Sequence, residues 1–445
     1  MKETIHRRNF LKSTALATGS MVLTNPFSAL FAFNGSPNEK VIIGMIGTNG
    51  RGAYLANIFA GIPNVEVGYI CDVDENVLNK TIAEVEKKTG KKPKGFKDLR
   101  RLLETKDLDA VAIATPDHWH APAALLAVQA GKQVYVEKPC SHNPAEGEML
   151  VKAAQQYNRL IQMGSQRRSF PGVMQAVQSL HDGVIGRVYF AKGWYTNARK
   201  SIGTGKVVAP PANLDFDLWQ GPAPRRSYKD NLVHYNWHWF WHWGTGEALN
   251  NGTHEMDVMR WGLGVDFPTK VVSAGGRFHY KDDWETPDTQ TITYEFPNNT
   301  AFTWEGRSCN NYNIENSGRG TIFYGETGTM VIPGGDDYKI YDMNNKLVKE
   351  VISPLGAVDA TNTTGMGEKL DGLHLENFVN SVRGKTTLNC PIAIGQISTL
   401  LPQLGNIAYR TGRELYCDSS NGHVKDEEAM KLWSREYEKG WEMKL

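Results

Sequence analysis

The sequence lacks an excess of charge of either sign. Its 445 residues carry 49 Lys and Arg against 48 Asp and Glu, and no basic stripe or long run of one sign occurs. A nucleic-acid-binding surface needs clustered positive charge, so that class of function is disfavoured. A membrane-spanning helix needs about 20 consecutive apolar residues, and no segment supplies them. We therefore expect neither a nucleic-acid partner nor a membrane span.

Cysteine is also scarce, with Cys71, Cys140, Cys309, Cys390 and Cys417 as the whole set. The number is odd, and no two of them have the spacing of a metal site. Cys71 falls within a predicted core strand, where a free thiol behaves as a small apolar side chain. The sequence names no disulfide pair and predicts no metal centre.

Residues 1–33 are predicted to be a twin-arginine export signal. The run HRRNFLK begins at His6, and a weakly apolar stretch and a small-residue region follow it. A disordered basic tail is the alternative. We expect export to the periplasm and exclude these residues from fold reasoning. Because this route carries folded proteins, a cofactor would be loaded before export and held tightly.

The run VIIGMIGTNGRG, Val41 to Gly52, indicates a buried strand that breaks into a glycine-rich turn and opens a helix. Gly47 and Gly52 stand where a dinucleotide-binding turn needs residues without side chains. Asn49 replaces the usual middle glycine, and its side chain crowds a bound pyrophosphate. Asp72 ends the next predicted strand, where a carboxylate can bind the hydroxyls of an adenosine ribose. The alternative is a structural glycine turn.

Strands and helices alternate from Val41 to Met163, for example in the predicted helices Glu75–Lys88 and Pro122–Ala130 and the predicted strand Gln133–Glu137. This order predicts a doubly wound parallel sheet, which forms a Rossmann domain within residues 38–168.

Residues 169–445 are predicted to form an α+β domain. Beyond Gly186, short segments of alternating polarity predict a large, mostly antiparallel sheet that is open on one face to water or to another subunit. Helices at Leu373–Arg383 and Ala393–Thr411 are predicted to pack back onto one domain or across the junction. The fold class is α/β, with the second domain binding substrate and forming a homo-oligomer.

Two polar motifs directly follow predicted strands. TPDHWH occupies residues 115–120 and EKP residues 137–139. Ligands of open parallel sheets lie beyond the carboxyl ends of the strands, so both motifs are placed to contact one. The ammonium of Lys138 can polarise a substrate oxygen there. The alternatives are surface histidines and a surface lysine.

A third motif, GTGEALNNGTHEMD, begins at Gly244. Helical spacing predicts that Asn250, His254 and Asp257 share one face. A neighbouring amide or carboxylate can hold the imidazole in one tautomer, ready to accept a hydroxyl proton. An isolated histidine would more simply be structural, but its occurrence with the other two motifs favours a catalytic role.

These motifs and the segment LDFDLWQGPAP occur in the order found in the Gfo/Idh/MocA family of nicotinamide-dependent oxidoreductases, which the chain resembles along essentially its whole mature length. The resemblance implies a Rossmann domain, a larger αβ domain whose open sheet often forms an oligomer interface, and Lys138 and His254 facing the substrate. It also implies a set of cofactor-binding residues: Gly47, Thr48, Asn49, Gly50, Arg51, Gly52, Asp72, Thr115, Pro116, His120, Glu137 and Lys138.

Asn250 departs from the family pattern, because many of its dehydrogenases carry Asp there. An amide cannot accept a proton or raise the basicity of His254 as a carboxylate would. Asn250 stays in the predicted catalytic set with Lys138 and His254. The departure favours a related branch that uses bound NAD as a transient oxidant to cleave glycosides. Lys138 favours the ordinary oxidoreductases.

The segment HYNWHWFWHW, residues 234–243, is rich in Trp and His. As an extended strand it would place four Trp on one face and three His on the other. We predict a sugar-binding surface that includes Trp237, His238 and Trp243. The alternatives are aromatic core packing and a three-histidine metal site. Arg167 and Arg168 are predicted to bind sugar hydroxyls or an anion, with salt bridges as the alternative.

The predicted function is that of an exported oxidoreductase with tightly bound NAD, acting on a ring hydroxyl of a sugar or glycoside. Asp72 would repel a ribose phosphate, which makes NADP the weaker candidate. The alternative is an NAD-dependent glycoside hydrolase with no net redox change. A non-catalytic sugar or nucleotide sensor is a third reading, which Lys138 and His254 disfavour.

Overall fold

The computed structural model describes residues 40–355, 365 and 367–445. The predicted export signal lies outside these residues. The helices are α1 Arg51–Phe59, α2 Glu75–Thr89, α3 Leu99–Leu103, α4 Asp117–Gln129, α5 Pro144–Gln156, α6 Pro171–His181, α7 Phe216–Gln220, α8 Gly246–Asn250, α9 Gly252–Leu263, α10 Glu368–Val382, α11 Ile392–Thr411 and α12 Glu427–Met430.

The strands form two sheets. They are β1 Val41–Ile46, β2 Val65–Cys71, β3 Lys94–Phe96, β4 Ala110–Ile113, β5 Gln133–Glu137, β6 Ile161–Gly164, β7 Val188–Thr196, β8 Lys270–Gly276, β9 Thr289–Phe296, β10 Thr300–Arg307, β11 Arg319–Gly325, β12 Gly328–Pro333, β13 Tyr338–Asp342, β14 Leu347–Val351 and β15 Leu415–Tyr416.

The first sheet has the order β3-β2-β1-β4-β5-β6, and all its strands are parallel. Its central strands β4 and β5 are buried along their whole length, as expected for strands with helices on both faces. The chain crosses over between β1 and β4, and such a crossover opens a crevice at the carboxyl ends of the two strands. The predicted doubly wound sheet is confirmed.

The second sheet has the order β14-β13-β12-β11-β7-β10-β9-β8-β15. Only the β7–β10 pair within it is parallel, so the prediction of a mostly antiparallel sheet is also confirmed. Helices α6, α9 and α11 cover one face, where Tyr294 and Phe302 are fully buried. On the other face Thr293 and Thr303 are half-buried and hydrogen-bonded to each other at 2.9 Å.

The C-terminal helices connect the two sheets. Helix α10 packs against α1, and its Phe378 contacts the ring of Tyr135 in β5. Helix α11 packs against α5 on one side and against α9 and β8 on the other. The end of the chain therefore helps to fix the crevice of the first sheet relative to the second sheet.

Several local predictions were wrong. Helix α4 begins at Asp117 and not at Pro122, so DHWH forms its first turn. Pro122 cannot donate a hydrogen bond to the carbonyl of His118, and Arg435 from the C-terminal segment donates to that oxygen instead, at 2.6 Å. Residues 236–239 form a 3₁₀ turn and not an extended strand. Strands β3, β12, β14 and β15 were missed.

His374 gives the fold a testable pH dependence. It lies in α10, with Nδ1 2.7 Å from the hydroxyl of Ser169 and Nε2 2.9 Å from the carbonyl of Met163. Burial lowers the pKa of His374 from 6.5 to about 4. Between these values the unfolded chain binds more protons, so this stabilisation is complete above 6.5 and is lost as the pH falls through about 4.

We expect the free energy of unfolding of His374→Gln to depend less on pH between 6.5 and 4 than that of the wild type. At about 1.4 kcal/mol per pKa unit, the change in free energy across this range should be smaller by about 3 kcal/mol at most. Urea unfolding at several pH values measures this difference. The exposed His279, changed to Gln, is the matched control. Parallel curves for the wild type and His374→Gln would contradict the assignment.

Candidate functional site

A cleft of about 290 Å³ opens at the carboxyl ends of β1, β4 and β5 and is closed on its far side by α8 and α9. Asp72 at the end of β2 and Lys138 after β5 both line it. Strands β1 and β4 lie between these two, so the cleft spans about 14 Å, at about 4.8 Å per strand. That length suits an extended ligand.

The glycine turn has the geometry that a dinucleotide needs. Gly47 has φ +77°, and a Cβ there would lie 2.8 Å from the backbone of Thr115. A Cβ on Gly52 would lie 1.9 Å from the carbonyl oxygen of Gly47. Both positions therefore require glycine. Asn49 is exposed at the mouth of the cleft, and Gly50 supplies a second left-handed residue, with φ +59°.

Helix α1 begins at this turn without a side-chain cap and without an acidic residue in its first turn. Its first backbone N–H groups thus have no partner within the helix and attract anions such as phosphate. Asp72 accepts hydrogen bonds from the backbone N and the hydroxyl of Thr48, at 2.6 and 3.2 Å. The half-exposed Asp72 carboxylate retains acceptor capacity for a ribose. The turn fits a dinucleotide.

Residues 213–219, which lie between β7 and β8 in sequence, cross the end of β2. Leu214 forms an antiparallel bridge with Asp74, and the backbone N of Glu75 donates to the carbonyl of Asn213 at 2.9 Å. Leu214, Leu218 and Trp219 line the cleft at this end. The 213–219 segment therefore covers the cleft beside Asp72.

The TPDHWH motif contributes the next part of the wall. Thr115, Pro116 and His120 line the cleft, whereas His118 turns away and lies 3.0 Å from the carbonyl of Trp219. The hydroxyl of Thr115 and Nε2 of His120 are buried and have no hydrogen-bond partner among the described residues. Such atoms normally have partners, so both are suited to contact a bound ligand.

Glu137 is the centre of a buried charge network. Its carboxylate pairs with Arg51 of α1 at 2.9 Å and accepts hydrogen bonds from Gln166 at 2.9 Å and Tyr135 at 3.3 Å. Arg51 also pairs with Asp371 of α10 at 3.2 Å. Glu137 and Arg51 therefore lie in the cleft, as predicted, and join three separate segments of the chain.

Lys138 reaches from β5 to α8. Its Nζ donates to the backbone oxygen of Asn250 at 2.5 Å and to the Oδ1 of the same residue at 3.3 Å. Burial lowers the pKa of Lys138, although the carboxylates of Glu137 and Asp117 oppose that effect. The ammonium is thus buried, hydrogen-bonded and easier to deprotonate than an exposed lysine.

His254 lies in α9 and lines the same cleft. Burial lowers the pKa of its imidazole well below the usual range, and the positive charges of Arg319 and Lys138 add to this effect. His254 is therefore neutral at neutral pH, and within the described part of the chain its Nδ1 has no hydrogen-bond partner. The structure thus brings Lys138, His254 and Asn250 together.

Asp257 is not part of this group, and the expectation that one helix face carries Asn250 together with His254 and Asp257 was wrong. Helices α8 and α9 are separate and meet at Asn251, so the helical spacing does not run through the motif. Asp257 lies in the core, where it pairs with Arg168 at 2.8 Å.

Arg167 and Arg168 do not reach the cleft, so their predicted contact with substrate was wrong. The chain turns under the second sheet after β6, and of this 3₁₀ turn only Gln166 lines the cleft. Arg167 is fully buried, 3.8 Å from Glu255. Arg168 forms a two-pronged pair with Asp257. The salt-bridge alternative was correct.

The aromatic segment is divided between the core and the cleft. Trp237 and His238 line the cleft, and their rings stack 3.6 Å apart. Trp243 is buried against Trp219 outside the cleft, so its predicted contact with sugar was wrong. In the 3₁₀ turn alternate residues such as Trp237 and Trp239 do not share one face, as they would in an extended strand.

The three histidines of this segment do not form a metal site. His234 pairs with Asp74 at 3.2 Å, and His242 lies 2.7 Å from the carbonyl of Pro224. Within residues 40–355, 365 and 367–445, no three His, Cys, Asp or Glu side chains are grouped as metal ligands.

Sequence reasoning missed several residues of the cleft wall. Tyr195 and Arg319 come from neighbouring strands β7 and β11, and no motif marks them. Asn251 lies inside the third motif, where its polar character next to Asn250 was an available signal. Asp371 enters from α10, more than 100 residues beyond the last of the motifs.

A glycine turn, a carboxylate at the end of the neighbouring strand and a long cleft beside a second sheet are typical of a dinucleotide-binding protein. Sequence comparison agrees, because residues 41–165 match a family described as an oxidoreductase family with an NAD-binding Rossmann fold. Residues 190–333 match the C-terminal alpha/beta domain of the same family. The chain belongs to the Gfo/Idh/MocA family of oxidoreductases, which confirms the predicted family and the NAD-binding domain.

Curated relatives include proteins named glycosyl hydrolase family 109 protein. The one from Saccharopolyspora erythraea is 33% identical over 43% of this chain and 45% of its own length. The one from Shewanella baltica is 29% identical over 43% and 46%. The matches thus span less than half the length of these relatives.

Solved structures share the fold at low identity. Levoglucosan dehydrogenase in complex with NADH and levoglucosan has a TM-score of 0.65 at 17% identity, covering 85% of this chain and 99% of that one. The WlbA dehydrogenase from Bordetella pertussis, in complex with NADH and UDP-GlcNAcA, has a TM-score of 0.63 at 18% identity, covering 85% and 99%.

We expect Arg168→Gln to lower the free energy of unfolding by about 3 to 5 kcal/mol, because it leaves the buried Asp257 carboxylate without its charged partner. Arg100→Gln, which breaks the exposed pair with Asp98, is the matched control and should cost less than about 1 kcal/mol. Denaturant unfolding compares the two. Equally small losses of unfolding free energy in both variants would contradict a structural role for Arg168 and would favour a role in ligand binding.

Proposed function

We propose that the protein is an NAD-dependent oxidoreductase that acts on a ring hydroxyl of a sugar or glycoside. The observation that carries this proposal is the convergence of Lys138 and the neutral His254 in the cleft that also holds the glycine turn. Lys138 would stabilise negative charge on the substrate oxygen, and His254 would accept the hydroxyl proton. NAD, when bound, supplies the hydride acceptor.

The wall near these two residues suits a carbohydrate. Trp237, His238 and Tyr195 present rings, and Asn251 presents an amide beside them. An apolar wall with a few placed polar groups is the usual form of a small-molecule site. The sugar ligands of the two structural neighbours, levoglucosan and UDP-GlcNAcA, support this substrate class.

NAD is the expected nucleotide and NADP the weaker candidate. The Asp72 carboxylate, already hydrogen-bonded to Thr48, would repel a phosphate on the ribose. The 213–219 segment covers this end of the cleft, which supports slow release of the cofactor. Thr115, Pro116 and His120 line the remaining path towards Lys138.

A second candidate is a glycoside hydrolase that passes through a transient oxidation and returns its cofactor unchanged. Two observations favour it. The partner of Lys138 is the amide Asn250, which cannot itself accept a proton as a carboxylate would. The relatives from Saccharopolyspora erythraea and Shewanella baltica carry the name glycosyl hydrolase family 109 protein.

We also propose that the protein is exported to the periplasm and forms a homo-oligomer. The twin-arginine run at Arg7 and Arg8 supports export, which cell fractionation tests. The half-buried outer face of the second sheet, with Thr293 and Thr303, supports assembly, which light scattering tests. Within residues 40–355, 365 and 367–445, no helix is both long and apolar enough to cross a membrane.

Lys138→Ala and His254→Ala are each expected to lower kcat/KM for keto-sugar formation by about 10²- to 10⁴-fold, because each removes a group that carries charge or a proton. Lys152→Ala, on the exposed side of α5, is the control and should retain full activity. Unchanged activity in both cleft variants would remove the mechanism.

The pH profile of the wild type gives a further check on the same prediction. Since the pKa of His254 is lowered, activity should persist as the pH falls through the usual range of histidine. Since the pKa of Lys138 is also lowered, the alkaline limb should lie below that of an exposed lysine. The alkaline limb should move in Lys138→Arg.

Aryl glycosides incubated with the purified protein, without an added electron acceptor, distinguish the two candidate functions. A dehydrogenase stops after about one equivalent per bound nucleotide, because nothing reoxidises it. A hydrolase releases phenol over many turnovers and keeps its nucleotide oxidised. Denaturation and mass analysis then identify the released nucleotide. Recovery of none would contradict tight cofactor binding in either case.

A further inference from the structure

Glu247 is a buried carboxylate below the cleft that the proposed chemistry does not use. It pairs with Arg199 through Nε at 2.6 Å and Nη2 at 3.2 Å, and it accepts a hydrogen bond from the hydroxyl of Ser308 at 3.1 Å. Burial alone would raise the pKa of Glu247, but the guanidinium of Arg199 and the hydrogen bonds hold it below the usual value. Glu247 is therefore charged.

The same carboxylate binds two neighbouring amides. Its Oε1 accepts from Nδ2 of Asn250 at 3.3 Å and from Nδ2 of Asn251 at 2.5 Å. These residues are three and four positions after Glu247, which are the two positions that adjoin a side chain on a helix surface. One carboxylate can therefore contact both amides without strain.

A carboxylate accepts hydrogen bonds and cannot donate them, so only the NH₂ side of an amide can face it. Each amide oxygen must then point away from Glu247. For Asn250 the oxygen faces Nζ of Lys138 at 3.3 Å. Asn251 lines the cleft, and no hydrogen bond to its Oδ1 is found among the described residues.

We propose that Glu247 is a positioning residue that fixes the orientation of both amides. It directs the oxygen of Asn250 to the Lys138 ammonium and leaves the oxygen of Asn251 as an acceptor for a substrate hydroxyl. The part concerning Asn251 rests on the proposed function, and the part concerning Lys138 does not.

The orientation matters because an amide is nearly symmetrical in shape but opposite in polarity at its two ends. With the oxygen towards Nζ, the charged form of Lys138 gains an acceptor. With the NH₂ group towards Nζ, the charged form would lose that acceptor and face a second donor. Glu247 thus favours the protonated state of Lys138 against the burial that opposes it.

The test for Lys138 needs no substrate. In protein labelled with ¹³C at lysine Cε, the Lys138 signal is assigned by its loss in Lys138→Arg, and its pH titration is followed. We expect Glu247→Gln to lower the pKa of Lys138, because the amide of Asn250 is then free to turn. Glu247→Asp keeps the charge and the Arg199 partner, and should restore most of the wild-type titration.

Asn250→Ala separates positioning from simple charge. If Glu247 acts through the amide, Glu247→Gln causes little additional shift in the Asn250→Ala background. An equal shift in both backgrounds would show action by charge alone and overturn the proposal, as would no shift in either. If Glu247→Gln does not fold because Arg199 is left without its partner, the same cycle is measured with Glu247→Gln combined with Arg199→Gln, which removes both buried charges together.

Asn251→Ala tests the second half with any glycoside that is turned over. We expect KM to rise about fivefold, the usual effect of one neutral hydrogen bond, while the Lys138 titration stays unchanged. An unchanged KM would overturn the role of Asn251. Absence of turnover in the wild type would contradict the proposed function and still leave the Lys138 titration as a complete test of the first half.

Discussion

The pairing of Arg51 with Glu137 and Asp371 is the interaction on which the cleft depends. Arg51 opens helix α1, Glu137 ends β5 and Asp371 lies in α10, so one guanidinium joins three segments far apart in sequence. All three side chains are largely removed from water, and a buried charge that loses its partner is strongly destabilising. These two ion pairs therefore fix the position of Lys138, the residue after Glu137, relative to the glycine turn.

Burial, and after it the positive charge in the cleft, determines the protonation state of His254. Arg319 and Lys138 lie close enough to His254 to disfavour a second cation, and burial acts in the same direction. The result is an imidazole that is neutral and has capacity to accept a proton. Such a base holds a proton weakly, so it suits a step in which positive charge on the ring is brief and is followed by loss of the proton to solvent.

The sequence predicted both sheets and most cleft residues of the first one, because strand ends and the glycine turn are local patterns. It failed where position depends on distant partners. Arg167 and Arg168 follow a strand end as Lys138 does, yet buried Glu255 and Asp257 from α9 hold them in the core. The predicted helical spacing from Asn250 to His254 and Asp257 was wrong for a local reason, because two short helices meet at Asn251 where one was assumed.

The amide of Asn250, held by the carboxylate of Glu247, differs from a carboxylate beside Lys138 in its ability to accept a proton. A carboxylate at that position could accept a proton from the Lys138 ammonium, and that proton would then not reach the substrate. The two oxygens of Asn250 that Lys138 contacts are not basic, so a proton leaving Nζ cannot pass to either of them. The charge of Glu247 still acts, but only on orientation. Any proton that Lys138 gives up must therefore go towards the cleft, where a substrate oxygen would lie.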